Sequence, residues 1–225
     1  MSHSSPSRVG PLAAIVGALL LFVGTWMHPM AADPNVPVAA FTEYSAAHHW
    51  VASHLMQLVG MLLMSAALIL LLRRLFDGPA AELAALATAG VITSLAAAAA
   101  LQAVDGVALK VMVDSWATAP ASAKLLFLQT AFAVRQIEIG LASITSLLFG
   151  LTVSLYGGAQ CLDGRFPRWI GAVAFAGGVP AAIAGVAIAF TGFSTLAMGL
   201  NLPGGSLLIL LMLLVGVYGW RHSIF

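Results

Sequence analysis

The residues of this chain that could do chemistry are histidine, carboxylate, amide and arginine side chains within or beside long apolar stretches. His28 ends the first apolar stretch, and His49 and His54 lie at the start of the second. Ionisable groups inside a bilayer are costly, so they face the interior of a helix bundle, pair with one another and often mark a functional site. We therefore treat the polar residues of these stretches as candidate site residues.

The histidines are candidate ligands of a metal ion or of a haem. Imidazole nitrogens bind copper, iron and zinc, and two imidazoles can also be the axial ligands of a b-type haem. His28 and His54 belong to adjacent antiparallel segments at one side of the membrane, and His49 is a third candidate. Three methionines are candidate soft ligands: Met27, Met30 and Met61. The spacing matches no dedicated metal motif, since the sequence has no HExxH and no CxxC pair.

Charged and amide residues of the third and fourth stretches are candidates to complete the site. In helices, Gln102 and Asp105 would share one face, and so would Arg135 and Glu138. A guanidinium stays charged at any relevant pH and must find a carboxylate or water. We expect Glu138 and Asp105 as its partners, either within a functional site or as an ion pair that joins the third and fourth helices.

The second stretch, residues 46–68, places several of these candidate residues on one face of a predicted helix. Side chains advance by about 100° per residue in a helix, which places six residues on one stripe facing a neighbouring helix: Trp50, His54, Gln57, Met61, Met64 and Leu68. Lipid does not select a histidine and a glutamine at membrane depth. Gln57 is therefore a further candidate to orient a ligand.

The composition of the chain is typical of an integral membrane protein. Of the 225 residues, 61% are hydrophobic and 8% are charged, with a mean hydropathy of +1.01, whereas a soluble domain carries about 25% charged residues. A bilayer core of about 30 Å needs about 20 apolar residues per helix, and six segments qualify: 9–28, 49–72, 81–105, 123–155, 169–191 and 203–221. We predict an all-α integral membrane bundle of six transmembrane helices that forms a single domain over residues 1–225. The first segment nearly reaches spanning length, so we expect a retained helix rather than a cleaved signal peptide.

Three finer expectations concern how the helices begin and pack. Asn201 is expected to cap the sixth helix, with Pro203 in its first turn. The sequence 177–180, Gly-Gly-Val-Pro, favours close helix packing over a ligand niche. The tryptophans near the histidines are expected to anchor the membrane interface: Trp26, Trp50 and Trp116.

The distribution of basic residues predicts the orientation. With the N-terminus inside, six arginines of the loops and ends lie on the inner side: Arg8, Arg73, Arg74, Arg165, Arg168 and Arg221. Only Lys110 and Lys124 lie outside. The positive-inside rule then places both termini in the cytoplasm. The histidine cluster is expected on the outer, periplasmic side of the plasma (inner) membrane.

Three functions from different classes follow from these residues. The first is a metal or haem b protein with a redox role, in which His28 and His54 bind copper, iron, zinc or haem, and Asp105 or Glu138 is a third ligand or orients one. The second is an accessory or structural subunit of a larger membrane complex, with no chemistry of its own. The third is a permease for a small anion or an amphipath, with Arg135 binding the carboxylate.

Net charge and cysteine content limit the kinds of partner and cofactor that the protein can bind. The lipid bilayer is an expected partner, with a homo-oligomer or a larger membrane complex as further options. A formal net charge of +1 provides no basic face for nucleic acid. The single cysteine, Cys161, excludes an intramolecular disulfide and a cysteine-based metal cluster within one chain. The sequence names no reaction.

Overall fold

The computed structural model describes residues 8–164 and 166–222, and this part of the chain contains helices and no strand. Seven helices follow one another: α1 Val9–Met27, α2 Pro37–Ala46, α3 Trp50–Leu75, α4 Ala81–Thr118, α5 Lys124–Asp163, α6 Arg168–Thr191 and α7 Thr195–His222. All except α2 are long and apolar enough to cross a membrane. The predicted all-α bundle of six transmembrane helices is confirmed. Arg165, one of the arginines used for the orientation, lies outside the described residues.

The six long helices form a closed ring in chain order. Each packs on the next, and α7 returns to pack on α1. The guanidinium of Arg8 lies 4.7 Å from the ring centre of Trp220, so the start of α1 and the end of α7 are together. We call this the arginine end, because Arg73 and Arg168 also lie there. The opposite end, where α1 ends, α3 begins and α2 lies, is the α2 end.

Small residues allow the helices to approach closely. In lipid, apolar burial does not drive helices together, so contacts rely on packing between small side chains and backbone. A Cβ on Gly157 of α5 would lie 2.9 Å from the carbonyl oxygen of Gly171 in α6. Gly178 lies equally close to Gly150, with 2.8 Å between an added Cβ and the Gly150 oxygen. The prediction of close packing around residues 177–180 is confirmed.

Large apolar side chains cover the outside of the ring, and the bundle therefore contacts the lipid bilayer. Examples with more than half of their surface exposed are Leu12, Ile92, Ile137 and Phe190. Inside the ring, an apolar core fills the arginine end with residues such as Leu71, Leu72, Ile170 and Leu211.

Several helix bounds differ from the prediction. α7 begins at Thr195 and contains Pro203 in its interior, so the expectation that Asn201 caps this helix is wrong. Membrane helices tolerate an internal proline because neighbouring groups satisfy the freed carbonyl. α4 extends past residue 105 to Thr118, and α5 extends past residue 155 to Asp163.

The short helix α2, which the sequence did not predict, lies over the α2 end of the ring. Its Phe41 and Tyr44 are buried against Trp50 of α3 and Trp116 of α4, and we call these four side chains the aromatic roof. The ring centroids of Tyr44 and Trp50 are 4.4 Å apart. Trp50 and Trp116 are therefore not interface anchors as expected, whereas Trp26, 79% exposed, fits that role.

Polar contacts hold the segment around α2 to the bundle. Lys110 of α4 donates hydrogen bonds of 3.1 Å to the carbonyl oxygens of Tyr44 and Ser45, at the end of α2. Lys110 also pairs with Asp114 at 2.7 Å. The Glu43 carboxylate accepts hydrogen bonds from the backbone N–H groups of residues 31 and 32. The aromatic roof is thus fixed from two sides.

Candidate metal centre

Two histidines and one aspartate converge beneath the aromatic roof. His28, His54 and Asp105 each offer one ligand atom, and these three atoms lie within 4.8 Å of one another. Nε2 of His54 is 3.1 Å from Oδ2 of Asp105, and the ring centroids of His28 and His54 are 5.0 Å apart. The sequence left open whether the two histidines meet, and the structure brings them together.

The packing of α1 on α3 places the two histidines. His54 lies on the predicted stripe of α3 and is 2% exposed. His28 directly follows α1, and Gly24 one turn earlier brings that helix against α3, where an added Cβ would lie 2.7 Å from the carbonyl oxygen of Ser53. The stripe itself is confirmed, because Trp50, Met61, Met64 and Leu68 are also buried and Gln57 is half-buried.

A π-helical segment in α4, Ala103–Leu109, carries Asp105. Such segments are rare and occur frequently at functional sites. Gly106 lets this segment approach α3, since a Cβ there would lie 2.5 Å from Cβ of His54. Trp50 donates its indole N–H to the carbonyl oxygen of Asp105 at 2.9 Å. These two contacts fix the carboxylate opposite His54.

The amides predicted beside the histidines form their own contact. Nε2 of Gln102 donates to Oε1 of Gln57 at 3.1 Å. As predicted, Gln102 and Asp105 face the same neighbouring helix, α3. The buried Oε1 of Gln102 has no hydrogen-bond partner among the described residues, so it is a further acceptor close to the three converging side chains.

Backbone carbonyls fix which nitrogen of each imidazole carries the proton. Nδ1 of His54 lies 2.7 Å from the carbonyl oxygen of Trp50, and Nδ1 of His28 lies 2.8 Å from that of Pro29. Because a carbonyl only accepts, both Nδ1 atoms must be donors. In a neutral imidazole each Nε2 then has a free lone pair. Burial lowers the pKa of His28, against the opposing effect of the Asp105 charge, and so favours its neutral form.

The contact between His54 and Asp105 requires a cation. With Nδ1 of His54 protonated, its Nε2 and the carboxylate oxygen present two lone pairs to each other at 3.1 Å. The two atoms attract each other only if a proton or a metal ion lies between them. Oδ1 of Asp105 is buried and has no hydrogen-bond partner within the described chain. The arrangement is therefore compatible with a bound metal ion and also with a proton shared by the two side chains.

The second polar pair lies in α5. Nη1 of Arg135 is 2.6 Å from Oε2 of Glu138, and the two residues are 5% and 2% exposed. The prediction that Glu138 pairs with Arg135 is confirmed. The predicted pairing of Arg135 with Asp105, and the ion pair joining the third and fourth helices, are wrong among the described residues. Arg135 finds its carboxylate within its own helix, and the π segment turns Asp105 towards His54.

Tyr44 of the aromatic roof lies between the two polar groups. Its ring centroid is 6.3 Å from that of His28 and 5.6 Å from the guanidinium carbon of Arg135. Burial raises the pKa of Tyr44 to about 12, so the phenol stays protonated at neutral pH. The sequence did not single out Tyr44, because it belongs to the short helix that hydropathy cannot detect.

The other predicted ligands differ in their exposure. His49 is exposed at the start of α3 and does not belong to the converging group. Met30 is 60% exposed, Met27 is partly exposed, and Met61 is buried. Met61 lies seven residues beyond His54, about 10 Å further along the helix. In a regular helix His49 already points about 100° away from the stripe that contains His54, so it could have joined His54 only at an irregular start of α3.

The arrangement of the imidazoles does not suit a haem between them. Axial imidazoles stand on opposite faces of the porphyrin, each with Nε2 directed at the iron. Here Oδ2 of Asp105 occupies the space in front of Nε2 of His54, at 3.1 Å. The two rings are also inclined by 60° with centroids 5.0 Å apart. The three ligand atoms instead converge within 4.8 Å of one another, as the ligands of a single ion do.

Comparison with protein family models, with characterised proteins and with solved structures finds no match to this chain.

Proposed function

We propose that this protein binds one first-row transition-metal ion within the membrane, through His28, His54 and Asp105, and that the ion serves a redox role. The observation that carries the proposal is the orientation of the imidazoles. Both Nδ1–H groups are held by backbone carbonyls, so Nε2 of each ring is the atom that can bind an ion, and Nε2 of His54 already faces the Asp105 carboxylate at 3.1 Å. Such hydrogen bonds orient the histidine ligands of most metal sites and increase their basicity.

The dimensions of the site are compatible with an ion of this class. Metal–nitrogen and metal–oxygen bonds of about 2.0–2.2 Å require the most distant donor atoms, now up to 4.8 Å apart, to come closer by about 1.5 Å. Rotation of the side chains provides such a movement. The buried, partnerless Oδ1 of Asp105 would be satisfied by the positive charge of the ion.

The donor set favours particular metals. Two imidazoles and one carboxylate with open coordination positions are typical of non-haem iron(II) sites, and zinc and copper(II) also accept these donors. Copper(I) prefers thioether and thiolate sulfur, whereas the three converging donors are nitrogen and oxygen. Among these metals, iron combines this donor set with redox chemistry, so we propose iron as the resident ion.

The position of the site in the cell is part of the proposal. Arg8, Arg73 and Arg168 lie at the arginine end, and the metal centre lies at the α2 end. By the positive-inside rule, we place both termini in the cytoplasm. The centre then faces the outer, periplasmic side of the plasma (inner) membrane, and residues 1–225 act as a single transmembrane domain.

Metal content measured by mass spectrometry tests the proposal. The protein is purified in dodecyl maltoside, washed with chelator and reloaded anaerobically with iron(II), zinc(II) or copper(II). We expect one ion per wild-type chain and almost none in the His54→Ala and Asp105→Asn variants. The matched controls are His48→Ala and His49→Ala, which remove exposed histidines of the same region and should keep the full metal content.

Two results would contradict this function. Full metal content in both His54→Ala and Asp105→Asn would show that the ion binds elsewhere. A wild-type protein that binds none of the three metals would indicate that His54 and Asp105 share a proton, and the accessory-subunit hypothesis would then lead. Gel filtration and circular dichroism establish that each variant is folded. For the redox role, the protein loaded with iron(II) should undergo reversible one-electron oxidation to iron(III), and failure to do so would contradict that part of the proposal.

A further inference from the structure

The guanidinium of Arg135 has one incompletely used donor edge. Nη1 is 2.6 Å from Glu138, and Nη2, which carries two N–H groups, donates one long hydrogen bond of 3.4 Å to the carbonyl oxygen of Pro34. Nε is buried and has no hydrogen-bond partner among the residues that the structure describes. Nε and Nη2 form one side of the planar fork, and their spacing matches the two oxygens of a carboxylate. A buried unpaired donor of this kind costs about 1–3 kcal/mol and requires an explanation.

Aromatic rings bound the guanidinium on its sides. Its central carbon lies 5.6 Å from the ring centre of Tyr44 and 5.0 Å from that of Phe193. Both distances are within the range of cation–π attraction. The rings cannot accept the in-plane hydrogen bonds of Nε and Nη2, so these donors remain available to an oxyanion. The surrounding rings also favour an organic anion over a strongly hydrated inorganic one.

The charges of the buried groups leave room for one anion. Arg135 and Glu138 neutralise each other, and Asp105 balances one of the two charges of a divalent ion. With the ion of the proposed function in place, the enclosed polar groups therefore carry one net positive charge. An uncompensated charge in a low-dielectric interior is unfavourable. A bound monoanion would remove it.

Arg135 and the metal centre have Tyr44 as a common neighbour. The ring centre of Tyr44 lies 5.6 Å from the guanidinium carbon of Arg135 and 6.3 Å from the ring centre of His28. The proposed metal site also has open coordination positions. A molecule with a carboxylate at Arg135 can therefore extend along Tyr44 towards the ion.

We propose that Arg135 binds the carboxylate of a monocarboxylic organic acid through Nε and Nη2, beside the proposed metal site. The carboxylate site stands on the unpaired donors of Arg135, and its link to the ion rests on the proposed function. The acid can come from water as a short-chain acid or from the bilayer as a fatty acid. Both present the same group to Arg135.

Isothermal titration calorimetry with sodium propionate and sodium octanoate tests the inference on zinc-loaded protein in dodecyl maltoside, with empty micelles as background. The test variant is the double substitution Arg135→Gln with Glu138→Gln, because removing the arginine alone would leave a buried carboxylate unpaired. We expect the Kd for the acid to rise at least tenfold. The control is Arg73→Gln, an exposed arginine at the arginine end, which should leave the Kd unchanged. Arg135→Lys keeps the charge but loses the fork, and should also weaken binding.

The outcomes separate this inference from the proposed function. Metal content is measured on the same samples, so zinc-loaded protein that binds neither acid overturns the carboxylate site and leaves the metal centre standing. Equal Kd values in the wild type and the double variant would also overturn the site. Equal binding with and without zinc would support the Arg135 site and overturn its link to the ion. Tighter binding of octanoate would identify the bilayer as the source, and equal or tighter binding of propionate would identify water.

Discussion

The two ends of the bundle bury different kinds of side chain. The arginine end carries its charges on the outside. Its buried polar residues are neutral, and they form hydrogen bonds with one another. Ser94 meets Thr152 at 3.2 Å, and Gln160 donates to the Tyr156 hydroxyl at 2.9 Å. The α2 end instead buries a histidine, an arginine and a glutamate, with Asp105 close to them.

This difference separates the part of the ring that secures the fold from the part that holds the candidate site. Helix packing at the arginine end is close and uses glycine, alanine and aliphatic side chains. Both ends bury polar atoms that have no partner among the described residues, such as Oε1 of Gln160 at the arginine end, but at the α2 end such atoms belong to the ionisable groups of Asp105 and Arg135, whose burial lowers stability more. Groups that reduce stability persist where function requires them. Substitutions at the two ends should therefore have opposite consequences.

The largest change in stability is expected for a substitution at the arginine end. Gly157→Leu places a large side chain where the backbone of α6 allows no Cβ without movement, and overpacking should destabilise the bundle by about 3 kcal/mol or more. We expect a large fall in the yield of monodisperse protein and in Tm. Gly140→Leu is the matched control on the same helix, since an added Cβ there meets no atom within 4 Å. If Gly157→Leu were as stable as Gly140→Leu, the packing account of this end would be wrong.

Asp105→Asn, at the α2 end, is expected to increase stability instead of lowering it. In metal-free protein, the asparagine amide can donate to Nε2 of His54 and removes the buried carboxylate, so stability should increase by about 1–3 kcal/mol. Thermal unfolding in detergent should show a higher Tm than for the metal-free wild type, together with loss of the Tm increase on adding metal. At the arginine end, Thr152→Val removes a paired hydroxyl and should lower Tm. A decrease in Tm for both variants would remove the contrast between the ends.

The smallest effect is expected for Trp50→Phe. The ring still packs against Tyr44, but the hydrogen bond to the carbonyl oxygen of Asp105 is lost, for a cost of about 1 kcal/mol. Because Asp105 is then held less firmly, metal affinity should fall about tenfold, as measured by competition with a chelator. Trp169→Phe, a partly exposed tryptophan at the arginine end, should leave the affinity unchanged. Equal affinities in the two variants would show that this hydrogen bond does not position Asp105.

Hydropathy was sufficient to predict the six spanning helices, because a continuous apolar stretch in a bilayer has few alternatives to a helix. It could not find α2, whose ten residues, PVAAFTEYSA, are neither apolar enough nor long enough to span. The buried positions of Trp50 and Trp116 depend on that helix, so they were missed with it. Pro203 was taken as the start of a helix because soluble helices rarely contain proline in their interior.

The sequence was sufficient to predict which residues form the site, but not which of them contact each other. His28, His54, Asp105, Arg135 and Glu138 were recognised because ionisable groups are exceptional at membrane depth. Which carboxylate meets which partner depends on helix rotation, and for Asp105 on the π segment, neither of which follows from hydrophobic periodicity. The dipeptide Asp105-Gly106 within an alanine-rich helix was the one local signal of that irregularity.

The π segment also separates the aim of Asp105 from the attachment of the roof above it. A π segment is in effect an α-helix that has gained one residue, and its single wide turn absorbs that residue. Deleting one residue between 103 and 109 would restore regular winding and leave the direction of the rest of α4 unchanged. Lys110 would remain at the end of α2 and Trp116 at Phe41, whereas Asp105 would turn away from His54. The direction of the carboxylate can thus change without disturbing the way in which α2 is held.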